Sequence, residues 1–186
     1  MPVPNIVSDA RGLMQKAVEH AQHQIFKVRT GRASGSLVEN LKIEYYGSPT
    51  PLGQVGSIST PDARTILIQP WDRTTLGAIE KAILASDLGL NPNNDGSVIR
   101  VPIPPLTEER RKEFVKMCKK YAEEGKVAVR NVRRDHLEAL KIAEKKESFS
   151  EDDRKRGEDE IQKITDKFIK DIDVILASKE KEIMED

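Results

Sequence analysis

The sequence of 186 residues is poor in cysteine, aromatic side chains and long apolar runs. One cysteine cannot form an internal disulfide or supply a four-cysteine zinc site. No stretch reaches the roughly 18–20 apolar residues that a membrane helix needs, and the N-terminal segment lacks the basic-then-apolar order of a secretory signal. We therefore expect a cytoplasmic protein in a reducing compartment, with no membrane partner.

The patterns that would indicate catalysis or a cofactor are also missing. His20 and His23 lie three residues apart but belong to no HExxH pattern, and the glycines match neither a dinucleotide-binding nor a phosphate-binding loop. Cys118 and His136 fall on an apolar helix face, where packing explains them better than chemistry. We expect no catalytic residue, no metal and no cofactor, so the protein is predicted not to be an enzyme.

Proline and glycine divide the chain into three parts. Residues 31–105 hold eight of the ten prolines and eight of the eleven glycines, whereas 106–186 contain no proline. Because proline interrupts helices and both residues favour turns, the middle predicts short strands and loops and the flanks predict helices. The expected fold is α+β: an elongated antiparallel three-helix bundle from 1–30 and 106–186, with a small inserted α/β domain (a β/α/β sandwich) at 31–105.

Three helices are predicted in the flanks. The first begins near Ser8, where Ser8 and Asp9 are the candidate N-caps, and stops at Gly31. The second follows Thr107 as far as Glu147, and the third follows a capping box at Ser150 and ends near Met184. Five apolar residues are predicted to form the inner face of the first helix: Leu13, Ala17, Ala21, Ile25 and Val28. The second helix carries a seam with alternating steps of four and three: Val115, Cys118, Ala122, Gly125, Val129, Val132, His136, Ala139 and Ala143.

The middle segment predicts four strands and one helix. The strands are placed at residues 41–46, 55–60, 64–69 and 98–101, and the helix at about 75–86. Pro49-Thr50-Pro51 is interpreted as a turn, and residues 91–96 as a loop. The chain crosses between the bundle and this domain twice, at 29–32 and 102–106, which favours a hinge or a bent joint.

A basic stripe is the best candidate for a binding site. Residues 110–134 contain ten Lys or Arg and only three Asp or Glu, whereas 144–186 are acidic. Five basic residues lie within about 60° of one another on a helical wheel, with Arg134 beside them: Lys112, Lys119, Lys126, Arg130 and Arg133. Such a line of charges could follow a phosphate backbone. A solvated helix face is the plain alternative, but few acids intersperse the stripe, and arginine is concentrated where lysine would suffice for solubility.

Five segments together resemble the ribosome recycling factor family. They are KVRTGRAS at 27–34, EYYGSPTPL at 44–52, ASDLGLNP at 85–92, RVPIPPLTEERR at 100–111 and VAVRNVRRD at 127–135. The resemblance covers essentially the whole chain in the right order, and five segments in register are far more specific than any one of them.

The resemblance implies both a fold and a task. The family fold is a three-helix bundle with an inserted α/β domain in an L-shaped, tRNA-like outline. The family function is to disassemble the post-termination ribosome into subunits together with the GTPase elongation factor G. The implied partners are large-subunit rRNA around the A and P sites and elongation factor G, and we expect a monomer.

Carried over to this sequence, the resemblance assigns residues to two roles. The rRNA contacts are Arg130, Arg133 and Arg134, with Lys126 and Lys119 of the same stripe. Arg29 is assigned either to rRNA or to support of the joint. The hinge positions are Arg29, Thr30, Gly31, Arg32, Pro102, Pro104 and Pro105.

Three other functions remain open at this point. A coiled-coil chaperone or adaptor would bind through its seams and would not need Arg130 and Arg133. A small hydrolase would need an acid–base cluster within 31–105, a segment without His or Cys. A generic RNA-binding protein would use the stripe but would not need the hinge.

Overall fold

The computed structural model describes residues 3–146 and 149–185, and the chain divides into two compact units. Unit 1 is formed by residues up to Thr30 and by Glu108–Glu185, and unit 2 by Gly31–Thr107. Unit 1 contains three helices: α1 (Val3–Phe26), α4 (Glu108–Lys145) and α5 (Glu151–Met184). Unit 2 contains two sheets and two short helices. The predicted α+β class is confirmed.

Cross-helix contacts fix the direction of each bundle helix. Arg111 donates a hydrogen bond to the Met184 carbonyl at 3.2 Å, and Lys126 forms an ion pair with Asp173, so α4 and α5 run antiparallel. α1 is antiparallel to α4 and parallel to α5. The bundle core is formed by buried residues from all three helices, among them Met14, Ile25, Val129, Leu140, Ile161, Phe168 and Ile172.

The first helix begins five residues earlier than predicted. Its first residue is Val3, and Pro4 lies in the first turn, where its missing N–H leaves no hydrogen bond unmade. The inner face is shifted as well, because Met14 is fully buried whereas Leu13 is 41% exposed. The prediction of Leu13 as a core residue is therefore wrong, since the face begins at residues further towards the N-terminus: Ile6, Val7 and Ala10.

The last two helices follow the predicted pattern. Six members of the α4 seam are buried, and Leu140 joins them: Cys118, Ala122, Gly125, Val129, His136 and Ala143. The Ser150 hydroxyl accepts a hydrogen bond from the Asp153 N–H, and the Asp153 carboxylate accepts one from the Ser150 N–H, so the capping box is confirmed. The predicted end of α4 at Glu147 and the Ser148 part of the following break lie outside the described residues.

Unit 2 contains a four-stranded antiparallel sheet and a separate hairpin. The hairpin pairs β1 (Lys42–Tyr45) with β2 (Ser48–Pro51), and the short helix α2 (Leu52–Val55) follows. The sheet consists of β3 (Gly56–Asp62), β4 (Thr65–Pro70), β5 (Asn93–Asn94) and β6 (Ile99–Pro102), in the order β3-β4-β6-β5. α3 (Leu76–Ala85) buries Ile79 and Ile83 in the same core as Ile66, Ile68, Ile99 and Val101.

Two strands of unit 2 differ from the sequence-based prediction. Pro49-Thr50-Pro51 lies in β2 and not in a turn, because a two-stranded hairpin has free edges on which proline's missing N–H costs nothing. The reversal occurs instead at Tyr46 and Gly47, both of which have positive φ angles, as a type I′ turn requires. The short strand β5 lies in the segment predicted as a loop.

Candidate nucleic-acid interface

The candidate interface lies on α4, a helix of 38 residues that is about 57 Å long at 1.5 Å per residue. Its inner seam is locked against the other two helices. At Gly125 an added Cβ would lie 2.7 Å from the Ala21 Cβ and 3.2 Å from the Ile172 Cδ1. Such close approach holds the backbone of α4 firmly, so the positions from which its outer side chains extend are defined.

The basic stripe separates into an outer row and a row beside α5. Arg130 and Arg134 belong to the outer row, with side chains 48% and 73% exposed. Lys119, Lys126 and Arg133 face residues of α5: Lys119 lies 4.0 Å from Glu180, Lys126 pairs with Asp173, and Arg133 donates a 2.8 Å hydrogen bond to Gln162. The row beside α5 therefore has its partners on another helix, whereas the ion pairs of the outer row are made within α4.

The acidic partners of the inner row are a feature that sequence reasoning missed. A helical wheel shows α4 alone, and residues 110–134 of that helix contain only three Asp or Glu. Asp173 and Glu180 come from α5, and only the antiparallel register of the two helices brings them beside the stripe. The sequence did contain a signal for these partners, because the last helix is acidic. Packing an acidic helix beside the basic α4 places carboxylates next to the stripe.

The outer arginines form ion pairs at the surface. The Nη1 of Arg130 lies 3.3 Å from the Glu123 carboxylate, and the Nε of Arg134 lies 3.5 Å from Asp135. Exposed pairs of this kind contribute about 0–1 kcal/mol, so a phosphate can replace the carboxylate at little cost. Guanidinium groups also bind phosphate through a two-pronged fork. The outer row is therefore the part of the stripe best suited to a polyanion.

The difference between the two rows leads to a prediction for single substitutions. The Lys126 side chain is only 18% exposed and is paired with Asp173 of α5, whereas the Arg130 side chain is 48% exposed and its partner, Glu123, lies on the same helix. We expect Lys126→Ala to weaken binding to an RNA polyanion less than Arg130→Ala does. Filter binding of both variants at one salt concentration measures the difference. Equal losses of affinity would show that the row beside α5 binds as directly as the outer row.

The remaining predicted site residues lie on the connectors between the units. Arg29 is exposed on the segment that follows α1, and Arg32 is exposed after Gly31. Gly31 is buried and has φ 81°, a left-handed conformation that glycine adopts readily and other residues avoid. Pro102 ends β6, and Pro104 and Pro105 are exposed beyond it. Arg29 thus belongs to a different element from the arginines of α4.

His136 has a structural partner that the sequence did not indicate. Its Nε2 lies 2.7 Å from the Asp9 carboxylate, and its Nδ1 lies 2.7 Å from the Val132 carbonyl. Asp9 was interpreted as a capping residue of α1, but α1 begins at Val3 and the Asp9 carboxylate reaches α4 instead. His20 and His23 are both exposed. Within residues 3–146 and 149–185, no group of three or more His, Cys, Asp or Glu could hold a metal ion.

Lys179 lies buried near Cys118 at the end of α1. Its ammonium donates a hydrogen bond to the Phe26 carbonyl at 3.3 Å, and it supplies a positive charge at the C-terminal end of that helix. Burial lowers the pKa of Lys179, against the opposing effect of Glu182. Burial also raises the pKa of Cys118, against the opposing charge of Lys179.

The environment of Cys118 predicts a protected thiol. The residue is fully buried and its raised pKa keeps the thiolate scarce. We expect native protein to react with a thiol reagent slower than unfolded protein by a factor on the order of 10³ or more, because reaction requires the bundle to open. Lys120→Cys supplies an exposed control thiol on the same helix. Equally fast labelling of both thiols in native protein would contradict the packing described for α4.

Comparison with known proteins agrees with this architecture. A family model described as "Ribosome recycling factor" matches residues 21–184. The ribosome-recycling factor of Nitratidesulfovibrio vulgaris (strain DP4) is 55% identical over 185 residues, which cover 100% of both chains. That of Oleidesulfovibrio alaskensis is 56% identical over 180 residues, which cover 97% of this chain and 98% of the relative.

Solved structures give the same result. A solution structure of a ribosome recycling factor matches with a TM-score of 0.75 and 48% identity, over 99% of this chain and 98% of that one. A second match describes the T. thermophilus ribosome recycling factor and E. coli elongation factor G bound to the E. coli post-termination complex. Its TM-score is 0.65 with 49% identity, over 99% of this chain and 100% of that one. The chain therefore belongs to the ribosome recycling factor family, as the sequence segments indicated.

Among the described residues, every helix is too polar or too short to cross a bilayer.

Proposed function

We propose that this protein, together with elongation factor G and GTP, disassembles the post-termination ribosome into subunits for a new round of protein synthesis. The observation that carries the proposal is family membership over essentially the whole chain, at 55% identity to a ribosome-recycling factor of the same length. A related factor, 49% identical, is described with elongation factor G on a post-termination complex. The same partners are proposed for this chain.

The proposed anchor is the outer face of α4 on large-subunit rRNA around the A and P sites. Arg130 and Arg134 present exposed guanidinium groups, and Arg133 lies between them in the sequence with a replaceable hydrogen bond to Gln162. Lys119 and Lys126 add positive potential along the same helix. Arg29 either contacts rRNA or supports the joint. Backbone recognition of this kind is steeply salt-dependent and reads little base sequence.

The proposed movement is a bending of the chain at its two connectors. The hinge lies within Arg29–Arg32 and 102–106, where Gly31 and three prolines define the backbone path. A bundle of three long, closely packed helices transmits a push from the GTP-driven partner, whereas a soft element would absorb it. In this proposal the chemistry of GTP belongs to elongation factor G, and the present chain acts as a non-enzymatic, monomeric factor in the cytoplasm.

A subunit-splitting assay tests the proposal. Post-termination ribosomes are mixed with this protein, elongation factor G and GTP, each omitted in turn, and light scattering is followed. We expect scattering to fall only when all three are present. If the protein binds ribosomes but splits none, the fold serves another ribosomal task. If it binds no ribosome, the proposed function is wrong for this chain.

A further inference from the structure

The two connectors of unit 2 are held by the same turn, the two residues Ala63 and Arg64 between β3 and β4. The first connector is bound twice. The Ala33 N–H donates to the Ala63 carbonyl at 2.8 Å, and the Arg64 Nη1 donates to the Gly31 carbonyl at 3.0 Å. The Arg64 side chain is partly buried, which strengthens this charge-assisted bond relative to one in open solvent.

The second connector is bound to the backbone of the same arginine. The Ile103 N–H donates to the Arg64 carbonyl at 2.7 Å. This bond follows directly on the β4–β6 ladder, in which Thr65 is the partner of Pro102. Ile103 is also 8% exposed and belongs to the core of unit 2. Pro102 and Ile103 are therefore part of the folded body of unit 2.

The turn itself is kept in shape by a local hydrogen bond. The Asp62 Oδ1 accepts from the Arg64 N–H at 2.8 Å, a side-chain bond typical of aspartate at the start of a turn. Asp62 thus fixes the backbone of Arg64. The Arg64 guanidinium binds Gly31, and the Arg64 carbonyl oxygen binds Ile103. We call this arrangement, Asp62–Arg64 with Gly31, Ala33 and Ile103, the clasp.

We propose that Arg64 is a positioning residue for the hinge: through the clasp it fixes Gly31 and Ile103 to one point of unit 2. Bending then begins before Gly31 and after Ile103, within Arg29–Thr30 and Pro104–Thr107. The proposed hinge is therefore shorter than the one predicted from the sequence, because Gly31, Arg32 and Pro102 move with unit 2. The role assigned to bending in recycling rests on the proposed function, whereas the confinement of bending is a property of the isolated protein.

Arg64→Met tests this role. It keeps an apolar stem but removes the guanidinium, so the bond to Gly31 is lost while the backbone bonds to Ala33 and Ile103 remain possible. Arg100→Met is the matched control, because Arg100 is an exposed arginine on the neighbouring strand β6. Both variants lose one positive charge from the same sheet.

The experiment measures the spread of distances between two spin labels, placed through Lys16→Cys on α1 and Lys81→Cys on α3, in the isolated protein. We expect Arg64→Met to widen the distance distribution and to raise amide exchange at Ala33 about tenfold or more, while Arg100→Met leaves both unchanged. Thermal unfolding of both variants checks that unit 2 is folded. If Arg64→Met does not fold, Arg64→Gln, whose shorter side chain cannot reach Gly31, replaces it.

Unchanged distributions in folded Arg64→Met or Arg64→Gln protein would overturn the proposal. Equal widening in the Arg100→Met control would also overturn it, because the effect would then follow from charge and not from the clasp. Since no ribosome is present, the result does not depend on the outcome of the splitting assay. The splitting rate of Arg64→Met, measured at equal ribosome affinity, then shows whether confined bending is needed for recycling.

Discussion

Replacing Arg130 and Arg133 together by alanine is expected to weaken binding to the large ribosomal subunit by about 30-fold or more at 0.1 M salt. This factor follows from counterion release, because each phosphate contact makes log affinity fall with log salt concentration with a slope of about 0.7–0.9. Losing two contacts therefore lowers the slope by about 1.5. Affinity measured at several salt concentrations gives both quantities from one experiment.

Two controls separate anchoring from general effects of charge and folding. Lys163→Ala/Lys170→Ala removes the same number of positive charges from exposed positions on α5, and it should change the slope far less. Circular dichroism of the double arginine variant should match wild type, because Arg130 is exposed and the Arg133 guanidinium lies at the edge of α5, where it donates a hydrogen bond to Gln162. An unchanged slope in a folded double variant would refute the arginine anchor.

Adding one methyl group at Gly125 is expected to destabilise the bundle by about 1–3 kcal/mol. The new Cβ would lie 2.7 Å from the Ala21 Cβ, and because that atom is attached directly to the backbone of α1, the two helices must move apart. This cost exceeds the gain of about 1 kcal/mol that alanine brings over glycine in a helix. Urea unfolding of Gly125→Ala, followed by the helical signal at 222 nm, measures the net change.

The same substitution at Gly12 is the matched control, with the opposite expected sign. Gly12 lies in α1 with no heavy atom within 4 Å of an added Cβ. Gly12→Ala should therefore stabilise the protein by about 0.5–1 kcal/mol through helix propensity and a less flexible unfolded chain. A loss of stability at Gly12, or a gain at Gly125, would contradict the helix spacing described here.

The helices could be predicted from the sequence because several signals agree along them. The α4 seam at Cys118, Ala122 and Val129 repeats over many turns, and the Ser150 capping box marks the start of α5 without ambiguity. The start of α1 was misplaced because Ser8 and Asp9 resemble a cap. The Asp9 carboxylate lies instead against His136, a partner 127 residues away that no local pattern reveals.

The basic residues of the candidate site could be predicted from the sequence, but their acidic partners could not. A helical wheel groups Lys126 with Arg130, yet only Lys126 faces Asp173, because partner identity depends on the register between two helices. In unit 2, two prolines concealed a strand whose hairpin tolerates them. The clasp escaped prediction for a similar reason, since it joins Arg64 to Gly31 and Ile103 through contacts distant in sequence.

The rate of subunit splitting as a function of factor concentration tests the central claim most directly. Wild-type protein, Arg130→Ala/Arg133→Ala and Lys163→Ala/Lys170→Ala are compared with elongation factor G and GTP in excess. Because the arginines are assigned to anchoring, the half-saturating concentration of the arginine variant should rise by about 30-fold, with a plateau rate close to wild type. An unchanged half-saturating concentration for that variant, whatever its plateau, would contradict the account.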